Sequence, residues 1–388
     1  MKFLRFALLF CFFHAFFCSA QAQDSSSCHV RISLLTCAPG QELYSTFGHT
    51  AIRITDSITH MDVVYNYGTF NFDDPNFYMK FIRGKLDYFL SAAYFPDFMY
   101  EYKEDQRSVT EQVLNLTCAQ KAQIVHALET NMQAANRAYK YDFIYDNCTT
   151  RVRDLIFESL PGSGGAKQLV PEGTTARNLI HVYLDSGGEP WSKLGIDILL
   201  GAKLDKPLDN KVAMFLPDYL MKGVDSAVIH QTQLLVAQKS MLLNVPSPII
   251  AGWNYAPLAT FAIICVLMAV LYLAPGKRAK TIARFLDSFL LYFTGLLGIL
   301  LLFMWFGTDH KMTKDNYNLL WALPTNVVAA FFLWRNPLWL RRYFYVAFII
   351  NAILFAAWFW LPQEINVAIA PLVLLMLFRY AKLAQLRP

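Results

Sequence analysis

Residues Tyr141 to Asp154 read YDFIYDNCTTRVRD, and the reading of Cys148 within them decides the fold. Asn147 precedes the cysteine. Thr149, Thr150, Arg151, Val152, Arg153, Asp154, Leu155 and Ile156 follow it. This pattern predicts a helix with Asn147 as its cap and Cys148 in the first turn. A thiol there faces unpaired backbone N–H groups and the positive end of the helix dipole, which lower its pKa. The thiolate is the nucleophilic form, so the position permits chemistry without requiring it.

A thiol nucleophile needs a base and a group to orient that base. Between residues 24 and 250 the histidines are His29, His49, His60, His126, His181 and His230. His49 stands out in STFGHTAIRIT, where a glycine-containing loop enters an apolar strand and a ring can project from the strand end. HVRISLLTC, HTAIRIT and DVVYNYG read as three short strands, the last two joined by a polar turn at 56–59. A turn centred near Ser57 and Ile58 pairs Asn66 opposite His49, where an amide can hold the imidazole tautomer. Asp62, on the same face, and His60, near the start of that strand, are alternatives for the role. Residues 110–137 are expected to be helical from their spacing, and 161–166 (PGSGGA) to be a loop.

The same region holds Cys28, Cys37, Cys118 and Cys148. Two disulfides among the four are one reading. If Cys148 stays a thiol, three candidates remain, so at most one bridge forms and one further thiol is left.

The rest of the chain bears on location. The 388 residues are 55% hydrophobic with a net charge of +5, enough for two domains. The N-terminus, MKFLRFALLFCFFHAFFCSAQAQ, places Lys2 and Arg5 before an apolar stretch and small residues. It reads as a signal peptide over 1–23, cut near Ala22; the alternative is a retained anchor helix. Phe17 before Cys18 is too bulky for a lipoprotein signal. An external domain over 24–250 then precedes a membrane domain over 251–388. Five spans are expected in the latter, at 257–274, 286–306, 318–334, 342–361 and 365–379. Loop 275–285 (Lys277, Arg278, Lys280, Arg284), loop 335–342 (Arg335, Arg341, Arg342) and the tail (Arg379, Lys382, Arg387) are basic. The positive-inside rule puts them in the cytoplasm and leaves GTDHKMTKDNY (307–317) outside. The charge thus speaks of membrane orientation, and no basic patch interleaved with aromatics suits nucleic acid. No HExxH, CxxC or phosphate-binding glycine loop appears, so neither metal nor cofactor is expected.

Taken together, the strand-borne His49 followed much later by Asn147-Cys148 resembles the order in circularly permuted papain-like thiol enzymes, the lecithin-retinol acyltransferase and permuted NlpC groups. The longer stretches LLTCAPGQELYSTFGHTAIRI, DVVYNYGTFNFDDPNFYMKFIRGKLDYFL, YDFIYDNCTTRVRD and GTDHKMTKDNYNLLWALP resemble the Lnb-type bacterial lipoprotein N-acyltransferases over nearly the whole chain after the leader. The resemblance implies an α+β papain-like external domain, an all-α five-helix membrane domain, and a Cys148–His49–Asn66 triad. It implies an enzyme of the bacterial inner membrane that moves an acyl chain from a phospholipid, through a thioester on Cys148, to the α-amine of a diacylglyceryl-lipoprotein. Outside the cytoplasm there is no acyl-CoA, so a membrane lipid must be the donor. The N–H of Cys148 is the natural oxyanion donor, with Asn147, Asp62, His60, Arg151, His310 and Asn316 as further oxyanion or substrate candidates. Arg151 and Arg153 either meet phosphate or lie in solvent. Asp309, His310, Lys311 and Asn316 either hold the donor headgroup, shape the site, or form an ordinary polar loop. The rival readings are a thiol hydrolase acting on phospholipid or cell wall, and a non-catalytic membrane assembly module with a structural Cys148.

Overall fold

The computed structural model describes residues 28–42, 44–160, 167–229, 232–246, 253–335 and 337–385. The expected signal peptide, the loop at 161–166 and the junction near 250 lie outside the described residues.

Three strands form where the alternating β-branched stretches predict them: β1 (Val30–Cys37), β2 (His49–Asp56) and β3 (Asp62–Thr69). They are the centre of a seven-stranded antiparallel sheet, completed by β4 (Asp87–Tyr94), β5 (Val109–Leu114), β6 (Ala138–Lys140) and β7 (Val236–Leu243). The order is β6-β4-β3-β2-β1-β5-β7. The period of two sorts side chains between two cores. On one face Ile32, Leu34, Ile52 and Ile54 pack with Leu128, Val152 and Ile156. On the other, Leu35, Cys37, Ala51 and Val64 meet Phe98 and Tyr102.

The β2–β3 register corrects the expected one. Ile52 lies opposite Tyr65 and Arg53 opposite Val64, so Asn66 falls level with Ala51 rather than His49. The turn is centred one residue later than expected and the pairing shifts by two. An even shift keeps every side chain on its face, so Asn66 remains a diagonal neighbour of His49. A second correction concerns 110–137. Residues 109–114 are β5, pairing with both β1 and β7, and the helix is only Cys118–Met132. Thr117 starts that helix through a reciprocal capping box with Gln120. The TxxQ pattern at 117–120 marks that start, and the apolar spacing before it belongs to the strand.

The longer helices of this part are α1 (Phe77–Ile82), α2 (Phe95–Glu104), α3 (Cys118–Met132), α4 (Cys148–Glu158), α5 (Ala176–Ser186), α6 (Pro190–Leu199) and α7 (Pro217–Ser226). A disulfide ties Cys28 to Cys118, joining the start of β1 to the first residue of α3, and Cys37 and Cys148 are free thiols.

The helical part holds α8 (Ala256–Leu273), α9 (Lys277–Phe306), α10 (Asn326–Phe332), α11 (Leu338–Ala356) and α12 (Ala370–Gln385). Among the described residues four helices are long and apolar enough to cross a membrane: α8, α9, α11 and the run Val367–Gln385 that includes α12. The expected third span is not a continuous helix. A 3-10 turn at Tyr317–Leu320 and an interruption containing Pro324 precede the seven-residue α10. Pro324 has no N–H to continue a helix, and the Trp321 indole bonds the Asn318 side chain at 2.9 Å. The broken segment lies tight against α9. A carbon added at Gly298 would sit 2.1 Å from the Ala322 carbonyl oxygen, and one at Gly295 2.3 Å from the Val327 nitrogen. Small residues allow that backbone approach. The basic stretch 277–285, expected as a loop, is the first part of α9. Arg379, read as a tail charge, forms a bidentate pair with buried Asp287 at 2.7 and 2.5 Å.

Candidate active site

Local sequence explains why α4 starts at Cys148. Asp142 folds a turn by accepting from the N–H groups of Ile144 and Tyr145 at 3.1 and 2.9 Å. Asn147 Oδ1 then accepts from Thr150 N–H at 2.8 Å, and the Thr150 hydroxyl accepts from Asn147 N–H at 2.8 Å. The Asn147 amide hydrogens go to the carbonyls of Phe143 (2.7 Å) and Phe215 (3.0 Å). Asn147 is thus committed to holding the helix start and has no hydrogen left for an oxyanion. The hydroxyls of Thr50 and Thr149, 3.0 Å apart and buried, pin the first turn of α4 to β2.

His49 opens β2, and its Nε2 lies 3.2 Å from Asn66 Oδ1. An amide oxygen only accepts, so this contact selects the tautomer in which Nε2 carries a proton and Nδ1 is free to take one. The same imidazole lies next to the Cys148 thiol, close enough for each group to shift the other's pKa. Burial opposes the thiolate, but the His49 charge and hydrogen bond, with contributions from Thr50 N–H and Thr149, outweigh it and lower the Cys148 pKa. Burial likewise opposes the imidazolium, and the Cys148 charge and hydrogen bond followed by Asn66 outweigh that and raise the His49 pKa. Each group favours the charged form of the other, as in a thiolate–imidazolium pair.

Gly68 lies beside Cys148 at φ +90°, within the irregularity of β3–β4 pairing between Asn66 and Thr69. A carbon added there would be 3.4 Å from Cys148 Cβ and 3.9 Å from the Tyr139 hydroxyl. Cys37, opposite His49 across β1 and β2, is fully buried. Burial pushes its thiol up to about 12, which keeps it protonated.

The other expected site residues are elsewhere. Asp62 pairs with Arg53 at 2.6 Å, and Arg53 reaches Glu111 at 3.1 Å, at the opposite end of β3 from Gly68. His60 is in the β2–β3 turn at φ 58°, exposed. Neither can orient His49. Arg151 is bidentate to Asp146 at 2.6 and 2.9 Å and lies over the Tyr139 ring at 3.5 Å. Arg153 is bidentate to Asp154, donates to the Lys211 carbonyl at 2.9 Å and is buried. Both arginines are held by protein carboxylates, Arg153 buried and Arg151 part-exposed. His310 Nε2 lies 3.2 and 3.1 Å from the carbonyls of Phe81 and Ile82, so it caps α1 rather than facing Cys148. Asn316 donates to the carbonyls of Ile198 and Leu199 at 2.8 and 3.1 Å and is buried. It fastens the loop to α6 and does not reach the sulfur's surroundings. Among the described residues no group of three His, Cys, Asp or Glu side chains could hold a metal ion.

Residues 17–180 match the Lnb N-terminal periplasmic domain, and residues 250–387 match the Lnb transmembrane domain. The chain belongs to the Lnb family. Family membership supports a membrane-spanning region with a periplasmic domain, and suggests a membrane enzyme of lipoprotein processing. No curated protein and no solved structure matches the chain. In this Lnb-family chain, four features of the site escaped sequence reading: Gly68, the Thr50–Thr149 pin, Tyr139 and Cys37. Only Gly68 carried a signal, since a glycine inside a strand marks a bulge. The others depend on which strands become neighbours.

Proposed function

We propose that this Lnb-family chain N-acylates the lipidated N-terminal cysteine of bacterial lipoproteins, with Cys148 as nucleophile, His49 as acid and base, and Asn66 as its orienting partner. We read the helix-start cysteine against a strand-borne histidine as a permuted papain-like arrangement. In the first step the Cys148 thiolate attacks an ester carbonyl of a phospholipid. The S–C bond forms, the ester C–O bond breaks, and the lysophospholipid oxygen takes the proton from His49. In the second, the α-amine of the diacylglyceryl-cysteine attacks the thioester. The N–C bond forms, the S–C bond breaks, and His49 takes the amine proton. The enzyme sits in the inner membrane with the thiol in the periplasm and the C-terminus in the cytoplasm, the broken segment 317–335 making a fifth pass.

The observation that supports this reading is the His49 ring, 3.2 Å from Asn66 Oδ1 and electrostatically coupled to Cys148, in a domain fastened to membrane-crossing helices. A soluble substrate needs no such fastening. The test incubates the full chain with phospholipid vesicles and a diacylated lipopeptide bearing a free amine. Mass spectrometry follows a hydroxylamine-sensitive acyl adduct on Cys148, then an amide on the peptide. Adduct without amide would make the chain a lipase, and no adduct with any lipid would sink the proposal.

A further inference from the structure

Segment 70–85 leaves β3 directly beyond Gly68 and contains α1, Phe77–Ile82, whose sequence is FYMKFI. Five of these six residues are apolar, yet none is buried. Tyr78 is 76% exposed, Met79 56% and Phe81 51%, and Phe72 just before the helix is 65% exposed. The rings of Phe70, Phe72, Phe77 and Phe81 lie against one another in a chain. In water such a helix gains little, because none of its residues is fully buried.

Its anchorage explains it. Asp309 N–H donates to the Arg83 carbonyl at 2.9 Å, and His310 caps the carbonyls of Phe81 and Ile82. Gly84, at φ +67°, lets the His310 ring approach: an added carbon would lie 3.3 Å from two ring atoms. These contacts come from the loop that leaves the end of α9, three and four residues after Phe306, which is 75% exposed. Phe359 and Trp360, just past α11, are 90% and 82% exposed. They lie close in sequence to Gln363, which donates to the Leu200 carbonyl at 3.0 Å, so they belong to the same outer end. Aromatics at helix ends mark the membrane interface. Arg83 and Lys85 supply cations that headgroup phosphates attract, while Lys80 is paired with Asp74 within the segment.

We propose that residues 70–85 lie in the outer leaflet of the bilayer that α8 to α12 cross, with Phe72, Tyr78, Met79 and Phe81 in the acyl region. Their use as the route by which a donor chain reaches Cys148 rests on the acyl-transfer reading; their seat in lipid does not. The test places the photocrosslinker benzoylphenylalanine at Tyr78, and separately at exposed Ile58 in the β2–β3 turn, in full-length protein in phosphatidylethanolamine–phosphatidylglycerol vesicles. Phospholipid adducts several-fold more abundant at 78 than at 58 are expected; equal yields would overturn the lipid seat. Phe81→Glu is expected to slow acylation of Cys148 from vesicles about tenfold, and an unchanged rate would overturn the route. Crosslinking at 78 with no acyl adduct on wild-type Cys148 would remove the reaction and leave the seat standing.

A second inference rests on a different observation. The Tyr139 hydroxyl is buried, the residue being 7% exposed, and it has no hydrogen-bond partner. It faces the Gly68 gap that also borders Cys148 Cβ, and Arg151 over the ring fixes its orientation. An orphaned buried donor costs stability unless something uses it. We infer that, within the acyl-transfer reading, Tyr139 donates to the oxyanion formed at Cys148, alongside the Cys148 N–H. Tyr139→Phe removes only that oxygen. If the role holds, acyl-adduct formation falls about 100-fold, the lower range for one oxyanion donor, with thermal stability equal to or above wild type. An unchanged acylation rate would overturn the role. Absence of adduct in the wild type would instead sink the reaction itself.

Discussion

His49 and Cys148 shift each other in opposite directions, and the pH dependence follows. The thiolate is lost as pH falls through the lowered Cys148 value; the proton on His49 is lost as pH rises through its raised value. Alkylation of Cys148 by iodoacetamide should therefore rise at a pH below the ordinary 9.0. In His49→Ala only burial and the weaker hydrogen bonds remain, so the midpoint should move up to 9.0 or beyond. Equal midpoints in the two proteins would remove His49 from the site. The same variant should lose about 100- to 10,000-fold in acyl transfer, the usual range for a positioned acid or base. Asn66→Ala deletes one hydrogen bond to the ring, worth about 1.5 kcal/mol, where the neutral and charged ranges meet. Its rate should fall roughly tenfold, and a loss as large as that of His49→Ala would mean Asn66 does more than orient the ring.

At the scale of the element, the first turn of α4 is the part whose form the sequence announced. Asn147 and Thr150 spell the cap, and the carbonyls of Phe143 and Phe215 take the remaining amide hydrogens. Asn147→Ala removes the cap and strips both carbonyls of a donor. The cost should be about 2 kcal/mol, the upper end for a cap. That corresponds to about 4–8 °C in the melting temperature of a domain this size, read by thermal denaturation in detergent. No shift would mean that packing, not the cap, sets the helix start. The Cys28–Cys118 bridge closes a loop with a sequence separation of 90. Cys118→Ser should cost about 2–4 kcal/mol, and reducing agent should destabilise the wild type but not the variant. Residues 109–114 show why other elements were harder to read. Glu111 and Gln112 are buried, because Arg53 takes the first and Asp225 and the Met221 carbonyl bond the second. Nothing local in TEQVL reveals those partners.

Across the whole molecule, the two parts meet at Asp197 on α6. Its Oδ1 accepts from Arg177 at 2.7 Å and His181 at 2.8 Å, and its Oδ2 accepts from Asn366 at 2.7 Å. Its carbonyl accepts from Asn318 at 2.9 Å. Arg177 is fully buried, with Asp205 as its other carboxylate. Asp197→Ala leaves a buried guanidinium short of a partner and should cost about 3–5 kcal/mol. It should also loosen the seating of the periplasmic domain on the outer loops, seen as faster proteolysis of the full chain. Asp197→Asn keeps an acceptor and should cost less. Equal stability in Asp197→Ala and wild type would show that the apolar contacts of Leu194 with the helical core carry the junction alone.

The sequence by itself determined the parts whose cause is local. These are the central strands through their alternation, the start of α4 through Asn147 and Thr150, and the location of the membrane helices through their apolar length. It brought His49, Asn66 and Cys148 forward as a set, because strand period and helix capping act over a few residues. Tertiary structure alone decided the two-residue register, the capture of Arg151, Arg153, Asp62 and Asn316 by protein partners, and the orphaned Tyr139 hydroxyl. Each of these depends on what a residue meets from a distant part of the chain, and a buried polar group is defined by its partner rather than by its neighbours in sequence.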